Sequence, residues 1–201
     1  MNFLAHLYLS ANHEEIMIGN FIGDFVRGRT MYEQYPYHIA LGIELHREID
    51  DFTDNHPVVL ESKIRLRPKY RHYAPVIVDM FYDHFLAKYW SRFHTQPLNS
   101  FAQHAYQVLT KYEHQVPERV QQLMPYMIEG NWLLNYSRTE GIHRALSGMA
   151  RRSPYNSKMN EAVEDLEKYH AEFEAEFSAF FPELKLMSDN FIRDHAKGIQ
   201  V

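Results

Sequence analysis

Apolar residues recur along this chain at steps of three and four, not two. Between Ser157 and Phe181, the residues Met159, Val163, Leu166, His170, Phe173, Phe177 and Phe180 fall on one seam of a helix. Glu161, Glu164, Asp165, Glu167, Lys168, Glu174 and Glu176 occupy the opposite, solvated face. Ser137 followed by Glu140 fits a capping box opening a helix whose apolar face is Ile142, Leu146 and Met149. Pro36, Pro57, Pro75, Pro97, Pro117 and Pro154 punctuate the periodic stretches, which predicts helices of roughly one to two dozen residues. With no alternating strand pattern, linker or repeat, the expected fold is a single all-α domain over residues 1–201, a multi-helix bundle. Gly19 and Gly23, four apart, share a face where they either admit a second backbone or mark loops.

Polar groups on apolar faces carry the chemical information. The stretch Pro75–Arg92 is apolar on nearly all sides, which predicts a central helix, yet it holds Asp79, Asp83 and His84. Asp79 and Asp83 stack on one face, and burying two unpaired carboxylates costs several kcal/mol. They must therefore meet a cation, a metal ion or hydrogen-bond donors. A second helix, from Tyr37 to about Phe52, turns its face from apolar to polar through Ile39, Ile43, His46 and Asp50. A His and a carboxylate four apart can ligate one metal, or the carboxylate can orient the imidazole. Asp24 lies among Ile18, Phe21, Ile22 and Phe25, although Arg27 three residues on offers a surface partner. His6, among Phe3, Leu4, Leu7 and Leu9, fits a satisfied core histidine as well as a ligand.

Composition narrows the chemistry. The 201 residues include 13 histidines and no cysteine, so a metal must be held by nitrogen and oxygen. Asp and His from several helices describe a site for Mn²⁺, Mg²⁺ or Fe²⁺ suited to metal-assisted phosphoester hydrolysis. No nucleophile elbow, P-loop, dinucleotide fingerprint or zincin motif occurs. A net charge of −5 argues against a nucleic-acid partner. No stretch reaches the ~20 apolar residues of a membrane span, and the first ten residues lack a basic leader region, so a soluble, cytoplasmic protein is expected.

Four blocks, NFLAHLYLS, GNFIGDFVRG, IELHREIDDFTDNHP and RHYAPVIVDMFYDHFLAKYW, resemble the acyl carrier protein phosphodiesterases. They span the first 92 residues, and NWLLNY, LSGMARR and the aromatic last helix extend the likeness. The resemblance implies an all-helical fold, divergently similar to the HD-domain phosphohydrolases. It also implies Mn²⁺-dependent cleavage of the phosphodiester between phosphopantetheine and a serine of holo-acyl carrier protein. An ordinary HD motif has His before Asp, whereas Asp83-His84 is reversed here. The ligands expected by carry-over are Asp24, His46, Asp50 and Asp79, with Asp83 as the alternative to Asp79. His6 and His84 are then expected to handle protons or contact phosphate, with Asp83, next to His84, in the catalytic set. Arg27 and Arg47 suit phosphate oxygens because a guanidinium is a planar fork.

Lys63, Arg65, Arg67, Lys69 and Arg71 alternate through nine positions of an otherwise acidic chain, and Arg151-Arg152 adds a second basic turn. The run is either a docking surface for an acidic carrier protein or a solvated loop. Two rival functions remain at this level: an HD-like phosphohydrolase for nucleotides or small phosphoesters, and a non-catalytic carrier-protein binder.

Overall fold

Backbone meets backbone at Gly19 and Gly42. A Cβ on Gly19 would lie 2.0 Å from the Ile39 carbonyl oxygen, and one on Gly42 would lie 2.3 Å from that of Ile16. The computed structural model describes residues 1–195, and these two glycines bring its second helix, α2 (Glu14–Ile22), directly against its fourth, α4 (Tyr37–Asn55). Ahead of them stands α1 (Phe3–Tyr8), and between them lie a 3-10 turn (Gly23–Phe25) and the short α3 (Met31–Gln34). The chain continues through α5 (Pro57–Tyr70), α6 (Ala74–Lys88), α7 (Leu98–Lys111), α8 (Glu118–Glu129), α9 (Trp132–Asn135) and α10 (Thr139–Arg152). It closes with α11 (Ala162–Lys168) and α12 (His170–His195). No strand occurs among the described residues.

Five of the punctuating prolines act as expected, while Pro68, Pro125 and Pro182 lie within α5, α8 and α12. Pro57 and Pro75 begin helices, where a missing N–H costs nothing, and Pro36, Pro97 and Pro117 stand at N-caps. As its composition demands, α6 is central: Ile77, Val78, Met80, Phe81, Tyr82, Phe85 and Leu86 are buried. Phe173, Phe177 and Phe180 of α12 pack on it, and a buried side chain of this size contributes about 1.5–3 kcal/mol. One continuous apolar cluster joins the elements.

Three expectations are corrected. The seam from Ser157 to Phe181 is divided among a 3-10 turn (Met159–Glu161), α11 and α12, and Tyr169 leaves helical geometry at φ −112° and ψ 30° between the last two. Glu176 belongs to the interior: Arg65 holds it bidentately at 2.7 and 2.6 Å, and the guanidinium lies over Phe173. Helix α10 opens at Arg138 without a side-chain cap, and Ser137 donates instead to the Leu134 carbonyl at 2.8 Å.

Candidate metal centre

The seam between α1, α2 and α4 collects the polar groups of the first fifty residues. His6 reaches in from α1, and His46 and Asp50 stand one turn apart on α4. Asp24 comes from the 3-10 turn that ends α2. Gly23 is required here, because a Cβ on it would lie 2.2 Å from Cγ of His46. The two imidazoles stack, with centroids 4.0 Å apart and planes 19° from parallel.

One residue orients both rings. Nδ1–H of His6 donates to the Asn20 side-chain oxygen at 2.7 Å, and Nδ1–H of His46 donates to the Asn20 backbone oxygen at 2.7 Å. The Asn20 amide nitrogen donates to the His6 carbonyl at 2.7 Å and to Ser10 at 3.1 Å, which fixes the amide orientation. Both Nε2 atoms therefore point the same way, and each is buried without a hydrogen-bond partner. Asp50 faces them, with Oδ1 3.4 Å from His6 Nε2 and Oδ2 3.2 Å from His46 Nε2. Asp24 Oδ1 lies 3.3 Å from His46 Nε2 on the open side. Ligand atoms of His6, His46 and Asp50 all fall within 4.8 Å of one another, so these three residues could hold one metal ion.

The electrostatics agree. Burial, then the neighbouring His46, pulls His6 down to about 4, so it is neutral near pH 7. Burial also works against a proton on His46, but the Asp24 and Asp50 carboxylates outweigh it and raise the ring to about 9. Burial opposes ionisation of Asp50 as well, yet His46 and His6 hold it below the usual carboxylate range. Two carboxylates that favour positive charge on a ring favour a metal cation at the same place.

The remaining expected residues scatter. Asp79 Oδ1 sits 3.1 Å from the Met1 amino nitrogen, which in turn lies 3.8 Å from Asp50, so Asp79 flanks the centre. Asp83 accepts from the backbone N–H groups of Leu4, Ala5 and Asn2 at 2.8, 3.2 and 3.3 Å, capping α1. His84 turns to α9 and donates from Nδ1 to the Tyr136 carbonyl at 2.8 Å. Neither Asp83 nor His84 bonds to the cluster. Arg47 donates to the Val26 carbonyl at 3.1 Å, tying down the loop after Asp24, while Arg27 on that loop is exposed. Along α5, Lys63 pairs with Asp54 at 2.7 Å, Arg65 with Glu176, and Lys69 with Asp165 at 3.1 Å. Only Arg67 and Arg71 of the basic run are exposed and unpaired among the described residues.

Sequence reading missed Asn20, whose polar side chain among Ile16, Ile18, Phe21 and Ile22 was the available signal. It also missed a groove of about 800 Å³ that borders Phe3, Asp24 and Phe25 and runs along α8, α9 and α10. No helix among the described residues is long and apolar enough to cross a membrane.

Comparison with known proteins gives the geometry a context. None of the solved structures matches the chain. A protein of Photorhabdus laumondii named acyl carrier protein phosphodiesterase is 36% identical over 191 residues, covering 94% of this chain and 96% of its own. Proteins of the same name from Klebsiella pneumoniae strain 342 and Yersinia pestis are 35% and 36% identical, covering 94% and 90% of this chain and 98% and 94% of their own. The model of the family described as acyl carrier protein phosphodiesterase matches residues 1–184. With agreement over nearly its whole length, the chain belongs to the acyl carrier protein phosphodiesterase family.

Proposed function

We propose that this chain is a metal-dependent phosphodiesterase that hydrolyses the link between phosphopantetheine and the serine of holo-acyl carrier protein. Water attacks phosphorus, the P–O bond to the serine breaks, and the serine oxygen takes a proton. The products are apo-carrier protein and free phosphopantetheine. The observation that supports this reading is the convergence of two oriented, unpartnered imidazole Nε2 atoms and a carboxylate beside an open groove.

His6, His46 and Asp50 would hold the ion, with Asp24 completing the set from the groove side and Asp79 flanking it. Nitrogen and oxygen donors without sulfur suit Mn²⁺, with Mg²⁺ or Fe²⁺ as alternatives. When bound, a divalent cation supplies Lewis-acid polarisation of the phosphoryl group. Asn20 keeps both rings in the tautomer that presents Nε2 inward. Burial of His6 and His46 excludes bulk water from one side, so substrate enters past Asp24. Arg27 is free to meet phosphate oxygens, and Arg47 positions the loop that carries it. The likeness to HD-domain phosphohydrolases belongs to this proposal, as does residence in the cytoplasm with the carrier protein.

The test is incubation of purified protein with Mn²⁺ and holo-acyl carrier protein, read by mass spectrometry of the carrier. Release of phosphopantetheine that stops with chelator is expected. Binding without release, or faster turnover of nucleotides and simple phosphodiesters than of the carrier protein, overturns the assignment.

A further inference from the structure

Some cations of this molecule are paired internally, and among those that are not, four arginines gather on one groove. Lys63, Arg65, Lys69, Lys111 and Lys185 each pair with a carboxylate. Arg119 on α8 and Arg144, Arg151 and Arg152 on α10 do not. All four are exposed, and among the described residues none makes an ion pair or donates a side-chain hydrogen bond. They line the same groove, whose lining includes a single carboxylate, Asp24. Arg151 and Arg152 extend over Gly148, with guanidinium nitrogens 3.8 and 3.5 Å from where its Cβ would stand. Four uncompensated guanidinium groups on one groove repel one another and are explained by an anionic partner.

The floor of the groove has a different character. Phe25, Trp132 and Met149 are half-buried along it, with the amide of Gln122 at its edge. Asp24, which lines it, lies 3.3 Å from His46. An apolar and amide-lined channel suits a flexible, uncharged chain, and a cationic rim suits an acidic protein surface.

Resting on the phosphodiesterase reading above, we infer that this groove is the docking site: the acidic carrier protein seats on Arg119, Arg144, Arg151 and Arg152, and its prosthetic arm lies along the floor to the metal centre. The α5 run takes no part in docking.

The experiment measures binding of fluorescently labelled holo-acyl carrier protein to the full chain by anisotropy, in chelator so that nothing turns over, at low and high salt. The triple variant Arg144→Glu, Arg151→Glu, Arg152→Glu is expected to bind at least tenfold more weakly and to lose most of the salt dependence. Arg144→Gln alone moves in the same direction by a few fold, which guards against misfolding of the triple variant. Arg67→Glu on α5 with Arg71→Glu just after its end leaves the affinity unchanged. Unchanged affinity in the α10 variants, an equal loss in the α5 pair, or tighter binding of a single-stranded oligonucleotide overturns the inference. Cleavage is scored separately. Binding through the groove without cleavage keeps the docking site and removes the phosphodiesterase reading; cleavage with unaltered affinity in the α10 variants does the reverse. Absence of both binding and cleavage overturns the two together.

Discussion

His6 and His46 lie face to face 4.0 Å apart, although one comes from a six-residue helix at the start of the chain and the other from the middle of α4. Stacking parallel imidazoles puts both Nε2 atoms on one edge of the pair, where Asp50 closes the third side. If that edge binds the ion, His6→Ala, His46→Ala and Asp50→Asn each lower kcat/KM on holo-acyl carrier protein by at least a hundredfold. Elemental analysis should show the metal gone from all three while circular dichroism stays helical. Full metal content in any two of them removes the centre.

Asn20 separates orientation from ligation. Its side chain holds His6, but its backbone oxygen holds His46, so Asn20→Ala frees one ring and leaves the other anchored. Loss of such a supporting partner costs about 10- to 100-fold in metal affinity. The expected defect is therefore smaller than that of His6→Ala and is partly rescued by excess metal. A metal titration of both variants measures the difference.

Gly23 is the space in which His46 sits. In Gly23→Ala the new methyl group displaces the imidazole, so metal binding falls sharply while stability drops by about 1–3 kcal/mol, as for overpacked sites. Gly19→Ala drives a Cβ into the Ile39 carbonyl and separates α2 from α4. Thermal melts should rank Gly19→Ala as the less stable of the two.

The Asp83 carboxylate gathers the free N–H groups of α1, which carries His6. Asp83→Ala leaves buried donors unsatisfied and should cost about 1–3 kcal/mol, with bound metal retained in the folded fraction. Chemical denaturation paired with metal analysis checks this, and loss of metal without loss of stability would instead place Asp83 in the chemistry.

Stability should also depend on His84. Burial lowers this ring from 6.5 to about 4, against the opposing pull of its hydrogen bond to Tyr136. Below pH 6.5 the unfolded chain takes up a proton that the folded chain refuses until about pH 4. The contribution is thus complete above pH 6.5 and lost as pH falls towards 4, a change of about 3 kcal/mol. Urea titrations across that range should show a shallower slope for His84→Asn, by close to one proton.

Sequence periodicity singled out His46 and Asp50 because each is a polar residue on a face that is otherwise apolar, whereas Asp24 is exposed and His6, expected to handle protons or contact phosphate, stands beside the His46–Asp50 pair. The same logic grouped Asp79 with Asp83, and the helix does place them on one face. What lies opposite that face cannot be read locally: Asp79 meets the start of the chain and Asp83 the first turn of α1. The alternating cations of α5 looked like one surface, but alternation spreads residues around a helix, and Lys63, Arg65 and Lys69 each meet a different carboxylate. Arg119 and Arg144 are far apart in sequence and become neighbours only when α8 and α10 line one groove. The failed cap at Ser137 shows the limit of short motifs, because its hydroxyl found the Leu134 carbonyl first.

The candidate metal ligands His6, His46 and Asp50 are drawn from residues 6–50, and the arginines of the groove from residues 119–152. On the proposals above, cutting and catching are written on separate stretches of one polypeptide. Substitutions in the later stretch can change which carrier protein is captured, by surface charge alone, while the earlier stretch keeps its reaction. A chimaera that exchanges α8 to α10 between two relatives would carry the partner preference of one and the metal centre of the other.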